Sequence, residues 1–437
     1  MEKEPKRYGL IPIICFLLIC CSVVLGYAAG TREYWSDSEN RELAGFPHAA
    51  DYKGDADAYM QAFEPFLEDQ FPLRGKFVSA YTRFQQKSGR WYVRGVRVMT
   101  AKGDKSELSS EPVSTVSSEG NESQAAAQLP AEPFYIGPDY LFLDSYPVSK
   151  GRFANYRAAL DCLASLEGIQ LVDIILPHKN YSLAEGTDGA LSEALIIEEA
   201  NLEGRKASDS AAGIISIDAC SLFSDRYGIK ERSRMYFKTD IHWNPLGAFN
   251  CSELAAQKLA ELGVIRQTSV PDGDSFVWQD LSAERSYTGD LGRRFELEDP
   301  PAEYIPVYTL KETSSLRYYS GADRAEVKRD EVVNCGIDDY EIDYENLGTK
   351  NMLYFRVENP NAPEQKNVLI LKDSYQCTTI DYYSAIFSSI TVIDPRFDNP
   401  PLKDIIKDEE IELVLLMYHQ DNFLDEFSEY VTASFKN

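Results

Sequence analysis

The sequence predicts an α/β fold: a three-layer sandwich around a mainly parallel central sheet. Three apolar runs of strand length lead to this, LVDIILP from Leu171, VLIL from Val368 and IELVLLMYH from Ile411. Their unbroken hydrophobicity is that of strands covered on both faces. Stretches of helical spacing separate them, and polar residues able to do chemistry stand where the strands end, which is where such folds place their sites.

The elements follow in order. Residues 1–30 form a short tail carrying Lys3, Lys6 and Arg7, then an uncharged run from Leu10 to Ala29. A helix of that length crosses the roughly 30 Å hydrocarbon layer of a bilayer. The basic side keeps the tail in the cytoplasm and sends the rest outward, as a single-pass protein of a bacterial cell membrane. Small residues at Ala28 and Gly30 would also suit cleavage, but the run is long for a signal peptide, and a retained anchor is the expectation.

Residues 31–55 read as a juxtamembrane stalk, and 56–437 as one extracytoplasmic domain. Tyr59, Phe63, Phe66 and Leu67 share a helical face that breaks at Phe71-Pro72, and Phe77, Ala80, Tyr81 and Phe84 begin a second one. From about 101 to 132 the chain lacks aromatics and is rich in Ser, Glu, Ala and Gln, a disordered insertion. Gly137-Pro138-Asp139 then supplies a turn between short aromatic strands.

Helical spacing in ANYRAALDCLASLEG ends at Gly168, LVDIILP is a strand, LSEALIIEEANLEG is helical, and GIISIDACSLF holds a strand ending near Asp218. Asn244 and Pro245 read as N-cap and first residue of a helix that stops at Gly263. Residues from about 264 to 362 form an elaboration with strands at YIPVYTL and NMLYFRV. VLIL is the next core strand, DYYSAIFSS a helix, and ITVIDPRF and IELVLLMYH two further strands.

A formal charge of −26 would repel a phosphate backbone, which excludes nucleic acid as a partner. Beyond the apolar N-terminal run, Cys162, Cys220, Cys251, Cys335 and Cys377 show no CxxC pair or His cluster, which argues against a structural zinc site. Residue spacing implies no metal and no dissociable cofactor. Disulfides and buried free thiols both remain open for these cysteines.

Only four histidines occur in the chain, and His242 lies in KTDIHWN, two residues after Asp240, on a loop feeding a helix. Ser374 follows a core strand in LKDSY, where backbone N–H groups at the start of a helix could stabilise an oxyanion. A serine there needs an imidazole to take its proton, and His242 oriented by Asp240 is the candidate. Separately, an Asp-x-His pair is an ordinary loop hydrogen bond and a serine at a strand end an ordinary cap. Together they require the imidazole and the hydroxyl to meet within hydrogen-bond reach.

In family order, the blocks ENRELAGFP (39–47), FEPFLEDQFPLRGKF (63–77), FYIGPDYLFL (134–143), YFKTDIHWNPLGAF (236–249), TGDLGRRF (288–295), VLILKDSY (368–375) and VIDPRF (392–397) span nearly the whole predicted ectodomain. On these blocks the chain resembles the DHHW family of exported bacterial proteins and the related alginate O-acetyltransferases, which are SGNH hydrolase-like. The resemblance implies Ser374 as nucleophile, His242 as base and Asp240 as its orienting group, with Asp373 matching the Asp of the Asp-Ser motif. It implies an acyl group moved onto hydroxyls of an extracellular polysaccharide; an esterase that hydrolyses such an ester is the neighbouring reading. A membrane-bound O-acyltransferase is the implied partner that delivers the acyl donor. Ile241 stands where the DHHW motif has histidine, and Lys372 where the usual motif has glycine.

Arg396, Tyr375, Trp243 and His178 are weaker candidates for contact with substrate, Arg396 through its charge, the two aromatics by stacking and His178, like His419, as a pocket residue that follows a strand. Asp290 in TGDLG is a candidate support for the site through hydrogen bonds. The reading from a different class is a non-catalytic glycan-binding or assembly protein on the same scaffold.

Overall fold

The computed structural model describes residues 35–36, 41–42, 44–48, 52, 56–71, 90–93, 96–100, 140–143, 145–184, 190–294, 297, 300–321, 324–333, 341–349, 354–397, 399–419 and 424–436. The expected anchor, the insertion at 101–132, the second helical face at 77–84 and the 137–139 turn lie outside them. Among the described residues no helix is long and apolar enough to cross a membrane.

The chain divides into two compact units, Met1–Val93 with Arg293–Glu298, and Arg94–Gly292 with Asp299–Asn437. In the first, the predicted helical face forms Ala56–Asp69, ending two residues before Phe71. Phe46 sets its ring edge-on to Phe63 and Phe66 at 5.9 and 5.1 Å, so this face folds as an aromatic cluster.

The second unit is built on an eight-stranded sheet. Its strands are β1 (Gln170–Leu176), β2 (Ile215–Asp218), β3 (Arg317–Ser320), β4 (Ala325–Val327), β5 (Tyr354–Glu358), β6 (Glu364–Lys372), β7 (Phe387–Ile393) and β8 (Leu413–His419). They lie in the order β4-β3-β5-β7-β6-β8-β1-β2. The pairings from β7 through β6, β8 and β1 to β2 are parallel, and β5, β3 and β4 extend the sheet antiparallel. The expected elaboration thus contributes three strands to the central sheet itself.

The unbroken apolar runs fill both faces. Along β8, Leu413, Leu415 and Met417 enter one core while Val414, Leu416 and Tyr418 enter the other. Each fully buried Leu of this kind contributes about 2 kcal/mol. One face packs under α1 (Lys150–Ala164), α6 (Leu402–Asp408) and α7 (Leu424–Phe435), through Tyr156, Leu160, Ile405 and Phe427. The other packs against α4 (Ala219–Arg226) and α5 (Pro245–Glu261), through Phe223, Phe249, Ala256 and Leu259. Two more helices, α2 (Lys179–Leu183) and α3 (Ala190–Ala212), complete the unit's helical frame around β1 and β2.

The predicted helix over DYYSAIFSS is cut short. Only Ile380–Ser384 is helical, and Phe387 already begins β7, because Phe387, Ile390 and Val392 fill the same core as β6. A buried ion pair that the hydrophobic pattern does not announce joins Arg205 of α3 to both oxygens of Asp173 on β1, at 2.5 and 2.8 Å. Arg205 also donates to the carbonyls of Tyr418 and His419 at 3.2 and 3.1 Å, which fastens the end of β8.

Candidate active site

Ser374 leaves the carboxyl end of β6 and opens a short 3-10 turn, Ser374–Thr378. Asp373 caps that turn, taking the Tyr375 N–H on Oδ1 at 2.9 Å. Its other oxygen accepts the His419 N–H at 3.0 Å and lies 2.6 Å from His419 Nδ1. Burial alone would raise the Asp373 carboxyl, but the charge and hydrogen bonds of His419, with the charge of Arg396, hold it down to about 2. The N–H groups of Tyr375 and Gln376 are both committed to Asp373 inside the turn, the latter at 3.3 Å.

His242 arrives from the loop that feeds α5. Asn244 caps that helix, accepting from the Leu246 and Gly247 N–H groups at 3.1 and 3.2 Å, and Pro245 takes the first helical position as expected. The loop turns the imidazole toward β6. His242 Nε2 lies 2.8 Å from Ser374 Oγ and Nδ1 lies 2.6 Å from Asp240 Oδ1. The required meeting of Asp240, His242 and Ser374 is therefore present, across 132 residues of chain.

Asp240 is fully enclosed. Its Oδ2 accepts the Tyr287 hydroxyl at 2.7 Å and the Asp290 N–H at 3.0 Å. Burial opposes its ionisation, yet His242, Tyr287 and Asp290 together hold the carboxyl well below the usual carboxylate range. The TGDLG block makes this possible by close approach: a Cβ at Gly289 would stand 2.4 Å from the Asp240 Cβ. The expected support from Asp290 comes through its backbone.

Trp243 and Tyr375 require a correction, because both are fully buried. Trp243 Nε1 donates to the Tyr375 carbonyl at 2.9 Å, and the Tyr375 hydroxyl to the Ile241 carbonyl at 2.5 Å. They brace the serine turn against the histidine loop and do not offer rings for a sugar to stack on. His178 is also buried, its ring stacked on His419 at 5.2 Å and its Nδ1 3.4 Å from Glu198. Arg396 forms a two-point ion pair with Asp394, Nε to Oδ1 at 2.9 Å and Nη2 to Oδ2 at 2.5 Å. Its charge serves the end of β7 and, more remotely, Asp373.

Residues 138–324 match the family model of the SGNH hydrolase-like domain of acetyltransferase AlgX. PatB1 of Bacillus cereus superposes with a TM-score of 0.58 at 19% identity, over 67% of this chain and 97% of that one. Over residues 138–324 the chain is similar to an SGNH hydrolase-like domain. PatB1 bearing a sulfonyl adduct is similar to it at a TM-score of 0.57 and 19% identity, over 67% and 95% of the two chains. A DHHW family protein of Eubacterium siraeum gives 0.49 at 17% identity, over 67% and 94%. No curated protein matches the chain. The AlgX match takes in Asp240 and His242 and ends before Ser374, whose place beside them rests on geometry.

Lys372, the departure from the usual glycine, runs into the core of this domain. Its Nζ lies 3.5 Å from Asp394 Oδ2 and 3.6 Å from Cys377 Sγ, so a carboxylate compensates the buried cation. None of Cys162, Cys220, Cys251 and Cys377 is joined in a disulfide. A cleft of about 400 Å³ lined by Arg317, Arg356, Asn367, Ser388 and Glu409 opens at the amino ends of β6 and β7, the opposite edge of the sheet from Ser374. A smaller cavity of about 140 Å³ backs onto Cys377 and Thr378 of the serine turn.

Four residues of the site carried no signal at the sequence level: Tyr287, Tyr344, Lys179 and Glu303. Tyr344 lies against His242 and donates to the Tyr375 carbonyl at 3.1 Å. Tyr287 adjoins the TGDLG block and Lys179 adjoins His178, so neighbourhood to a motif was the one available pointer.

Proposed function

We propose that this chain is an extracytoplasmic, membrane-anchored O-acetyltransferase-type enzyme that transfers acyl groups to hydroxyls of a cell-surface or secreted polysaccharide through an acyl-serine. The observation that carries this reading is the relay from Asp240 through His242 to Ser374, with hydrogen-bond distances of 2.6 and 2.8 Å. The AlgX acetyltransferase match over 138–324 supports the reaction class.

In the first half-reaction His242 Nε2 takes the hydroxyl proton as Ser374 Oγ bonds to the acyl carbon, and the donor's leaving group departs with that proton. In the second, His242 takes the proton of an acceptor hydroxyl, whose oxygen bonds to the acyl carbon while Ser374 leaves and recovers a proton. Asp240 stays ionised throughout, holding Nδ1 protonated and stabilising the imidazolium. A sugar hydroxyl as acceptor makes a transferase and water an esterase. The donor would come from a membrane-bound O-acyltransferase partner.

The test incubates the full-length chain with 4-nitrophenyl acetate or a sulfonyl fluoride, the latter chosen because PatB1 carries a sulfonyl adduct. Intact mass and peptide mapping should place the adduct on Ser374, absent in Ser374→Ala and slow in His242→Ala. Folded wild type that takes neither reagent, in detergent or in native membranes, overturns the reading and favours a non-catalytic glycan-binding scaffold.

A further inference from the structure

The loop that carries Asp240 and His242 is gripped from two sides by buried charges. Lys179, on the first turn of α2, extends its Nζ to the carbonyls of Leu141, Lys238 and Asp240 at 2.7, 3.0 and 2.7 Å. Glu303 accepts the Lys238 N–H at 2.8 Å, the Thr239 N–H at 2.7 Å and the Thr239 hydroxyl at 2.8 Å. The remaining carbonyl, that of Thr239, takes the Gly292 N–H at 2.8 Å. Lys179 and Glu303 are 1% and 8% exposed, so neither exchanges these partners for water.

We propose that Lys179 and Glu303 are positioning residues that act through the Asp240 loop, the ammonium holding its carbonyls and the carboxylate its N–H groups. The inference rests on the acyl-serine reading for its kinetic consequence. Three carbonyls around one nitrogen match the three N–H bonds of an ammonium. A neutral amine has two and a lone pair, so deprotonation turns one of the three contacts into a repulsion.

The loop is therefore sensitive to alkali. Burial pulls the Lys179 ammonium down to about 7, against the charges of Glu303 and Asp240 that favour it. Other ionisable groups on the elements packed about it are Lys238 and Tyr236 before the loop, Tyr140 beside its stem, His178, Glu198 of α3, Cys220 of α4, Arg232 in the short helix Ile229–Ser233, and Tyr375 of the serine turn. Burial pushes Cys220 and Tyr236 well up, away from the neutral range. Rising pH thus strips Lys179 and loosens the loop that aims His242.

The experiment measures the pH profile of Ser374 acylation by 4-nitrophenyl acetate in the full-length chain. Wild type should lose rate as Lys179 titrates, Lys179→Arg should carry that falling limb to higher pH, and Lys179→Met should lower kcat about 10- to 100-fold with KM within about twofold. Glu303→Gln removes the carboxylate that keeps the proton on Lys179, so its falling limb should move to lower pH. A limb that stays put in Glu303→Gln overturns the proposal, because a merely structural carboxylate would not shift it.

A second readout needs no activity. The proton shared between His242 Nδ1 and Asp240 should give a downfield proton resonance that broadens as Lys179 titrates and persists to higher pH in Lys179→Arg. If wild type never acylates but this resonance follows Lys179, the acyl-serine reading fails and the clamp stands. A resonance indifferent to pH and to both Lys179 variants overturns the clamp.

Discussion

Tyr344 lies flat on the imidazole of His242, with ring centroids 4.0 Å apart and planes 10° from parallel. The tyrosine opens a 3-10 turn, Tyr344–Leu347, of the 264–362 elaboration, and its hydroxyl donates to the Tyr375 carbonyl at 3.1 Å. One ring thus fixes the tilt of the base while its tip holds the turn that bears the nucleophile. An aromatic contact of this kind is worth about 0.5–1.5 kcal/mol beyond its area. Tyr344→Ala should slow Ser374 acylation about tenfold, and Tyr344→Phe, which keeps the stack, by about threefold or less. Stopped-flow acylation rates on folded protein decide between them.

Asp240 accepts from three directions besides its contact with Nδ1, and its charge selects the His242 tautomer with the proton on Nδ1. Asp240→Asn replaces an acceptor by a donor at that nitrogen and favours the wrong tautomer. The acylation rate per folded molecule should fall about 10³- to 10⁴-fold, beyond any loss of stability that follows from removing the buried charge. Tyr287→Phe removes one donor and should cost far less, about three- to tenfold, since a single such hydrogen bond contributes about 1 kcal/mol. Equal losses in the two variants would contradict an electrostatic role for Asp240.

The legible part of this molecule was periodic or punctuated. LVDIILP, VLIL and IELVLLMYH read as strands because both of their faces are buried, and Asn244-Pro245 marked a helix start because a cap and a fixed φ are local chemistry. Asp240, His242 and Ser374 could be paired because each stands beside such an element. Tyr287 and Glu303 could not: each acts on the 238–240 loop from 47 or more residues away, and no spacing rule links a lone loop residue to its partner. Phe387-Ser388-Ser389 resembles the tail of a helix because two serines hide a strand's alternation. Pairing with β6, a tertiary fact, settled that segment.

Asp373 gives the fold an acid limit. Its carboxyl is held near 2 in the folded chain, against an ordinary value close to 4. A depressed folded value contributes stability that is fully present above the unfolded value and is lost as pH falls from about 4 through 2. The difference amounts to about 2 kcal/mol. Denaturant midpoints measured from pH 6 down to pH 2 should decline in wild type, and the part of that decline owed to Asp373 should vanish in Asp373→Asn. A curve of unchanged steepness in the variant would show that other carboxylates set the limit.

Two glycine substitutions separate fold from site. At Gly289 a Cβ would meet the Asp240 Cβ at 2.4 Å and the Thr239 carbonyl oxygen at 2.5 Å, backbone and stem atoms that can yield only by moving the catalytic loop. Gly263 ends α5 with φ +72 and has open space around it, so a methyl there strains its own backbone alone. Gly289→Ala should destabilise the chain by about 1–3 kcal/mol and Gly263→Ala by about 1 kcal/mol. Acylation per folded molecule should fall in the first and hold in the second, because only the first displaces Asp240 from His242. Thermal melts paired with active-site titration make the comparison, and a Gly289→Ala protein with wild-type acylation per folded molecule would mean that the loop can shift without carrying Asp240 along.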